Sequence, residues 1–350
     1  MKNKLLNTVV LGDAIDVLKQ LDDKSIDVCL TDPPYFLDKL DNNWKPEQVS
    51  NNRNQQVIKS LPAGMKFDRN QGVRFYDWYL KISTEIFRVL KDGGFYFSFS
   101  SPRLYHRMAS AVDDAGFEIR DCFLWVYTQN QMKAMSLNHF IEKMAITKKE
   151  KEAIKKRFEG WKTPQIKSSF EPIVMAQKPT NGTYLKNFIE SEVGLLNTNI
   201  KVGDNMYPSN VLTVEGISEV MDKYFLISKP HKEKQADFNT HMTVKPLELC
   251  EHLIKLSAYS PNAIILDPFI GSGTTAVAAK KLGKNYIGID VNSEYVELAK
   301  KRLANTTYGD ETRPDRTPDG TLIKHKKQAG KTAGKGLELP ITIITGSRKL

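Results

Sequence analysis

Residues 7–35, NTVVLGDAIDVLKQLDDKSIDVCLTDPPY, decide the fold. The apolar run in NTVVLGD predicts a strand, AIDVLKQLDD sets apolar residues at helical spacing, and SIDVCLTDPPY predicts a second strand. Strand, helix and strand in so short a span form a βαβ unit, which implies a parallel sheet. The alternation continues outward. FYDWYLKISTEIFRVLKDGG, residues 75–94, predicts a helix stopped by Gly93-Gly94. A strand FYFSFS, a helix around LYHRMASAVDDAGF and a strand IRDCFLWVY follow. FEPIVMAQKP predicts a strand that pairs back on IRDCFLWVY, so that a hairpin of 119–127 and 170–177 supplies one reversed strand near the sheet edge. From His241 the rhythm resumes with helix PLELCEHLIKLSA, strand NAIILDPF, helix TTAVAAKKLG, strand NYIGID and helix SEYVELAKKRL.

Between these elements lie segments of another character. A polar stretch from Leu37 to Asn70, beginning directly after DPPY, has little apolar periodicity and predicts a long mobile loop of the kind that acts as a lid. Its Trp44 suits either a wedge against a stacked base or a packing anchor. Residues 133–167 predict a basic helical insertion, and 181–240, rich in Asn, Gly, Pro and Ser breakers, a smaller irregular lobe. Residues 305–336 have the composition of a disordered tail, and LPITIITG beyond them that of an added edge strand.

The chain of 350 residues suffices for one large α/β domain with an appended lobe. It has no apolar run of the roughly 20 residues that a bilayer span needs and no secretory leader pattern, so it is expected in the cytoplasm, off the membrane. Cys29, Cys122 and Cys250 are odd in number and widely spaced, which fits reduced core thiols and gives no metal site. Fifty-one basic residues against 41 acidic ones leave a net charge of +10, and the excess is local. Residues 133–167 hold ten Lys and Arg against four Asp and Glu, residues 313–335 hold seven against two, and the body without them is neutral. That layout suits a polyanion met over a restricted surface, although a solvated helix face and a loose tail would look the same.

Two motifs carry chemistry. In IILDPFIGSGTTAVAAKKLGKNYIGID, Gly271, Gly273 and Ala276 stand between a strand and a helix, and Asp290 follows Asp267 by 23 residues. Small residues there let a nucleotide-type cofactor approach the backbone at a helix N-terminus, and the second acid is placed for ribose hydroxyls. Alone, this pattern fits a nicotinamide enzyme as well as a methyl-donor site. Thr31-Asp32-Pro33-Pro34-Tyr35 ends another parallel strand, where open α/β sheets bind ligands. Its prolines fix φ and remove donors. The Asp32 carboxylate and the Pro33 carbonyl then present acceptors alone, which is what an exocyclic amine requires, while Tyr35 stacks on the ring.

DPPY followed much later by DPFIGSGTT resembles the amino-methylating DNA methyltransferases, in the circularly permuted β class where the catalytic motif precedes the cofactor motif. His241-Met242-Thr243-Val244-Lys245-Pro246 is similar to that family's H-x-T-x-K-P segment, with Met242 where proline is usual. The resemblance spans nearly all of 7–36, 85–127, 169–179 and 241–303. It implies an α/β, Rossmann-like S-adenosylmethionine methyltransferase fold with a mostly parallel, seven-stranded type of sheet and an inserted target-recognition lobe. It implies a catalytic loop of Asp32, Pro33, Pro34 and Tyr35. It also implies a cofactor site of Asp13, His241, Thr243, Lys245, Asp267, Phe269, Gly271, Ser272, Gly273, Thr274 and Asp290, with Asp13 near the adenine and His241, Thr243 and Lys245 at the amino-acid end. Asp13 equally suits a helix cap, and Lys245 and Thr243 an ordinary helix start.

The activity implied is methyl transfer from S-adenosylmethionine to the N6 amine of an adenine flipped out of double-stranded DNA, with cytosine N4 as the alternative acceptor. RNA or protein glutamine as substrate, and a non-catalytic DNA-binding subunit of the same fold, are the rivals; Asp32, the permuted order and the intact motifs count against them. A homodimer and a partner restriction endonuclease are left open. Zinc deaminase, P-loop and catalytic-cysteine patterns are absent. The expected division is 1–127 and 241–304 as the two halves of the methyltransferase domain, 128–168 as basic insertion, 169–180 as core strand, 181–240 as target-recognition lobe and 305–350 as tail. Sequence recognition is assigned to 128–168 and 181–240.

Overall fold

The structure, a computed structural model, describes residues 4–35, 69–126, 134, 136–163, 169–200, 208–213, 225–226 and 245–309. In chain order these form β1 (Thr8–Leu11), α1 (Ala14–Leu18), β2 (Ile26–Thr31), α2 (Arg69–Val89), β3 (Leu90–Phe99), α3 (Tyr105–Asp114), β4 (Glu118–Val126), α4 (Asn138–Glu142), α5 (Lys148–Arg157), β5 (Phe170–Gln177), α6 (Tyr184–Ser191), β6 (Val211–Thr213), β7 (Phe225–Leu226), α7 (Leu247–Ser257), β8 (Ile264–Asp267), α8 (Thr274–Lys281), β9 (Asn285–Asp290) and α9 (Ser293–Ala304).

The strands make one sheet in the order β1-β9-β8-β2-β3-β5-β4-β6-β7. Seven principal strands run from β1 to β4, and two short ones extend the β4 edge. Every neighbouring pair is parallel except the two that involve β5. The reversed strand expected from the 170–177 hairpin is therefore present, with Phe123 opposite Ile173 and Val126 opposite Phe170.

The sheet is buried on both faces because its strands send alternate residues to opposite sides. Val28, Leu30, Phe97 and Phe99 pack with α7, α8 and α9. Cys29, Tyr96, Val174 and Ala176 pack with α1, α2 and α3. β2, at the middle, is buried at all six positions. Its one charged member, Asp27, accepts from Lys91 Nζ at 2.6 Å and from the Ile264 amide at 2.8 Å, tying the lower ends of β2 and β8 together.

Several expectations change in detail. α2 ends at Val89, and Gly93-Gly94 lies inside β3, where the register to β2 shifts between Ile26 and Val28. Gly93 has φ +81°, and a Cβ there would lie 2.5 Å from Asn187 Nδ2, so glycine serves a bulge that receives α6 rather than a helix stop. α2 also begins at Arg69, ahead of the expected Phe75. In the 181–240 segment, expected as a smaller irregular lobe, β6 and β7 pair along the β4 edge of the main sheet. The 37–68 loop with Trp44, His241 and Thr243, and the tail after Gly309 with LPITIITG lie outside the described residues. The three cysteines are free. No described helix is long and apolar enough to cross a membrane.

Candidate active site

Four parallel strands in a row, β1, β9, β8 and β2, deliver an acid to the same edge of the sheet. Asp290 and Asp267 end β9 and β8, while Asp13 and Asp32 follow β1 and β2. From β8 the chain moves to β9 on one side, and from β2 to β3 on the other. The gap between β8 and β2 is thus a topological switch point, the place where open α/β sheets bind ligands.

At the β8 end the acids form a frame. Asp267 is buried and accepts from Thr31 Oγ1 at 2.7 Å and from the Phe269 amide at 3.0 Å. Burial pushes its carboxyl up to about 7, against the pull of its hydrogen bonds from Thr31, Thr275 and Phe269. Its oxygens are engaged inside the protein, so Asp267 braces the end of β8 against the end of β2. Asp290 accepts from the Gly271 amide at 2.9 Å and the Asn292 amide at 2.8 Å, which orients its carboxylate toward the glycine turn. Burial raises this carboxyl as well, opposed by the same backbone donors.

The turn itself needs glycine. Gly273 has φ +86°, and a Cβ would meet that of Ala299 at 2.8 Å, so its absence lets α8 start close against α9. Ser272 and Thr274 are buried, and one Arg302 nitrogen, Nη1, reaches the Ser272 carbonyl at 2.7 Å and the two hydroxyls at 2.9 and 3.0 Å. Both hydroxyls therefore face α9. Phe269 is half-buried with its ring tilted against that of Trp78, centroids 5.4 Å apart. Asp13 is exposed and caps α1, accepting from the Ile15 and Asp16 amides at 2.9 and 3.3 Å.

The β2 end is built differently. Pro33 is buried, and Asp32 and Tyr35 are half-buried beside it. Asp32 Oδ1 accepts from the Tyr35 hydroxyl at 2.7 Å, and Oδ2 lies 2.6 Å from Lys245 Nζ. The same ammonium is 3.2 Å from Glu171 Oε2 and stands over the Phe99 ring at 5.1 Å from its centroid. Burial works to lower the Lys245 pKa, but Asp32 and Glu171 overturn that and hold it above the usual lysine range. Burial, followed by the Asp32 charge, raises the Tyr35 phenol. Lys245, just before α7, thus contacts the loop that follows β2.

Glu171 and Arg302 are the site residues that motif reading missed. β5 runs backwards, so its start, where Glu171 lies, comes to the edge where the other strands end. The expected hairpin was the available signal. Arg302 gave none, being one of several cations at the end of an amphipathic helix.

Type II methyltransferase M.HindIII of Haemophilus influenzae is 29% identical over 318 residues, covering 85% of this chain and 96% of its own. DNA adenine methyltransferase YhdJ of Escherichia coli is 25% identical over 313 residues, covering 85% and 82%. Among solved structures, the M1.HpyAVI–SAM complex matches with a TM-score of 0.48 and 20% identity, covering 85% of this chain and 98% of that one. The family model described as DNA methylase matches residues 26–301, well over half of the chain, and includes both DPPY and the glycine turn. This protein belongs to the DNA methylase family.

Proposed function

We propose that the chain methylates the exocyclic N6 amine of an adenine turned out of double-stranded DNA, with Asp32 as the catalytic acceptor. The observation that carries this is the Asp32 carboxylate at the switch point, with one oxygen on a tyrosine hydroxyl and the other on a buried ammonium. An amine lone pair delocalised into a purine ring is a poor nucleophile. Hydrogen bonds from the amine to Asp32 and to the Pro33 carbonyl draw its hydrogens away and localise the pair on nitrogen. The nitrogen gives up a proton as it takes the methyl group, and Asp32 is the carboxylate within reach to receive it. Tyr35, released from Asp32, supplies the ring on which the base stacks, offsetting part of the roughly few kcal/mol that flipping costs.

The residues at the β8 end fit the methyl donor. Asp290 is an acceptor fixed by two backbone donors, suited to a ribose diol, and Gly271 and Gly273 leave the turn free of side chains. Phe269 supplies an apolar wall. The donor contributes a methyl group activated on a sulfonium. The chain's part is to hold it, exclude water and align the amine with it.

Adenine is favoured over cytosine by the DPPY sequence and by the name of the YhdJ relative. DNA recognition is assigned to the 128–168 insertion and the 181–240 segment. α5 has no buried residue, ends in Lys155, Lys156 and Arg157, and is capped at Thr147, so it presents a preformed basic helix to phosphates. A homodimer and a companion restriction endonuclease are the partners that the family resemblance leaves open. Nucleoside mass spectrometry of DNA treated with the purified protein and labelled donor tests the assignment. Label in N6-methyladenine is expected, and label in N4-methylcytosine alone would overturn the choice of base.

A further inference from the structure

From the cluster at the end of β2 we infer that Glu171 is a positioning residue for methyl transfer: it shares the Lys245 ammonium with Asp32 and so leaves Asp32 an unneutralised acceptor whose Oδ1 receives the target amine. This rests on the reading of Asp32 as the catalytic carboxylate and concerns how that carboxylate is kept active.

A lone aspartate 2.6 Å from a lysine in a mostly buried site would make a one-to-one ion pair. Such a carboxylate has little charge left over for a third partner. It is held in place, but it is a weakened acceptor and a weakened base. Here the ammonium has a second carboxylate at 3.2 Å, so the three groups together carry one net negative charge. The side chain of Lys245 is only 12% exposed, and its remaining side is taken by the Phe99 ring. Phe99 ends β3, Glu171 is the second residue of β5, and Lys245 precedes α7, so three separate elements fix the ammonium. It is aimed at Oδ2. Among the described residues the other oxygen, Oδ1, has only the Tyr35 hydroxyl, a partner on the same loop that leaves when its ring turns to meet a base.

A purely structural role would be a tie between β5 and the β2 loop. β3 already lies between those strands and bonds to both, so a tie adds little. Buried ion pairs are also costly means of stabilisation. The arrangement therefore makes more sense as a device that sets the charge of Asp32.

The groups facing Asp32 and Lys245 are Tyr35 on the loop, Glu171 on β5, Cys250 on α7, Asp267 on β8 and Tyr79 on α2. Asp267, pushed up to about 7, titrates in the window of interest. The quantity to read is accordingly the displacement of the acid limb between variants, not its absolute position.

Single-turnover methylation by the full chain, measured across pH for Glu171→Gln, Glu171→Asp and Asp32→Ala, tests the inference. Glu171→Gln keeps the shape and removes the charge. The ammonium then falls wholly to Asp32, so the rate should drop about tenfold or more and the acid limb should move down by about half a pH unit or more. Affinity for S-adenosylmethionine should stay within about twofold. Glu171→Asp keeps the charge, so its acid limb should coincide with that of the unaltered chain even if its rate falls; this carries the test if the glutamine variant does not fold. Two results would overturn the inference: an unchanged rate and limb in Glu171→Gln, or an acid limb in Glu171→Asp displaced as far as that expected for loss of the charge. An active Asp32→Ala would overturn the underlying reading instead, whereas an inactive Asp32→Ala beside a fully active Glu171→Gln removes only the role of Glu171.

Discussion

The ends of β2 and β8 are neighbours in one sheet, and both finish in an acid, yet their partners differ in kind. At the β8 side Asp267 and Asp290 take amides of the turn, together with the Thr31 hydroxyl, and these partners cannot leave while the fold stands. At the β2 side Asp32 takes a phenol on a loop and an ammonium at the tip of a long side chain. The first arrangement suits holding a ligand in place. The second suits exchanging partners during a reaction. A carboxylate with replaceable partners, beside one with fixed partners, is a sharper mark of catalysis than either motif alone.

The strongest way to break this contrast is Asp32→Ala. Methylation should fall by at least about a hundredfold, while calorimetric affinity for S-adenosylmethionine changes by less than about threefold. An equal loss of both would make the β2 end part of the donor site. Next in size is Gly273→Ala. With φ at +86° and Ala299 at 2.8 Å, the variant should lose about 2 kcal/mol or more of stability in urea titration, and donor affinity should fall with it.

The frame also has a pH signature. Asp267 binds its proton more tightly in the folded chain, with a pKa of about 7, than in the unfolded chain, at about 3.9. The folded state holds more protons between those values, so this group's contribution is fully present at the acid end and is lost as pH rises toward neutrality. Asp267→Asn should remove that slope, so that the unaltered chain loses on the order of a few kcal/mol relative to the variant between about pH 4 and pH 7. Parallel urea curves at the two ends of the range would count against a buried, strained carboxyl. The smallest effect is expected at Asp13. As a helix cap it should contribute about 1 kcal/mol of stability, and Asp13→Ala should leave donor affinity unchanged. A marked loss of affinity would show that Asp13 serves the cofactor as well as the cap.

Much of this was legible in the sequence because its signals are local. Runs such as VVL, VCL and IIL between turn signals gave the principal strands, and DPPY and GSG lie at strand ends as their composition required. Lys245 was assigned to the cofactor's amino-acid end through the H-x-T-x-K-P resemblance, and its contact with Asp32 was not legible from the motif. In space, the start of α7 faces the end of β2, since β8 and β2 are sheet neighbours. Glu171 stayed hidden because a glutamate beginning an apolar strand has no periodic signature; only the strand's reversed direction gives it a place. β6 and β7, with three and two residues, are too short for any alternation to register.

Val126 and Phe170 stand opposite each other at the open end of the β4–β5 hairpin. The described residues 136–163, with α4 and α5, stand between those two positions in the chain and contribute no strand to the sheet. A segment mounted on one rung can be lengthened, shortened or exchanged at little entropic expense, since closure depends only weakly on loop length. The sheet, the acid frame and the Asp32 cluster lie on the other side of that rung. The hairpin thus works as a socket: a chain that acquires a new insertion between Val126 and Phe170 should keep the sheet, the acid frame and the Asp32 cluster unchanged.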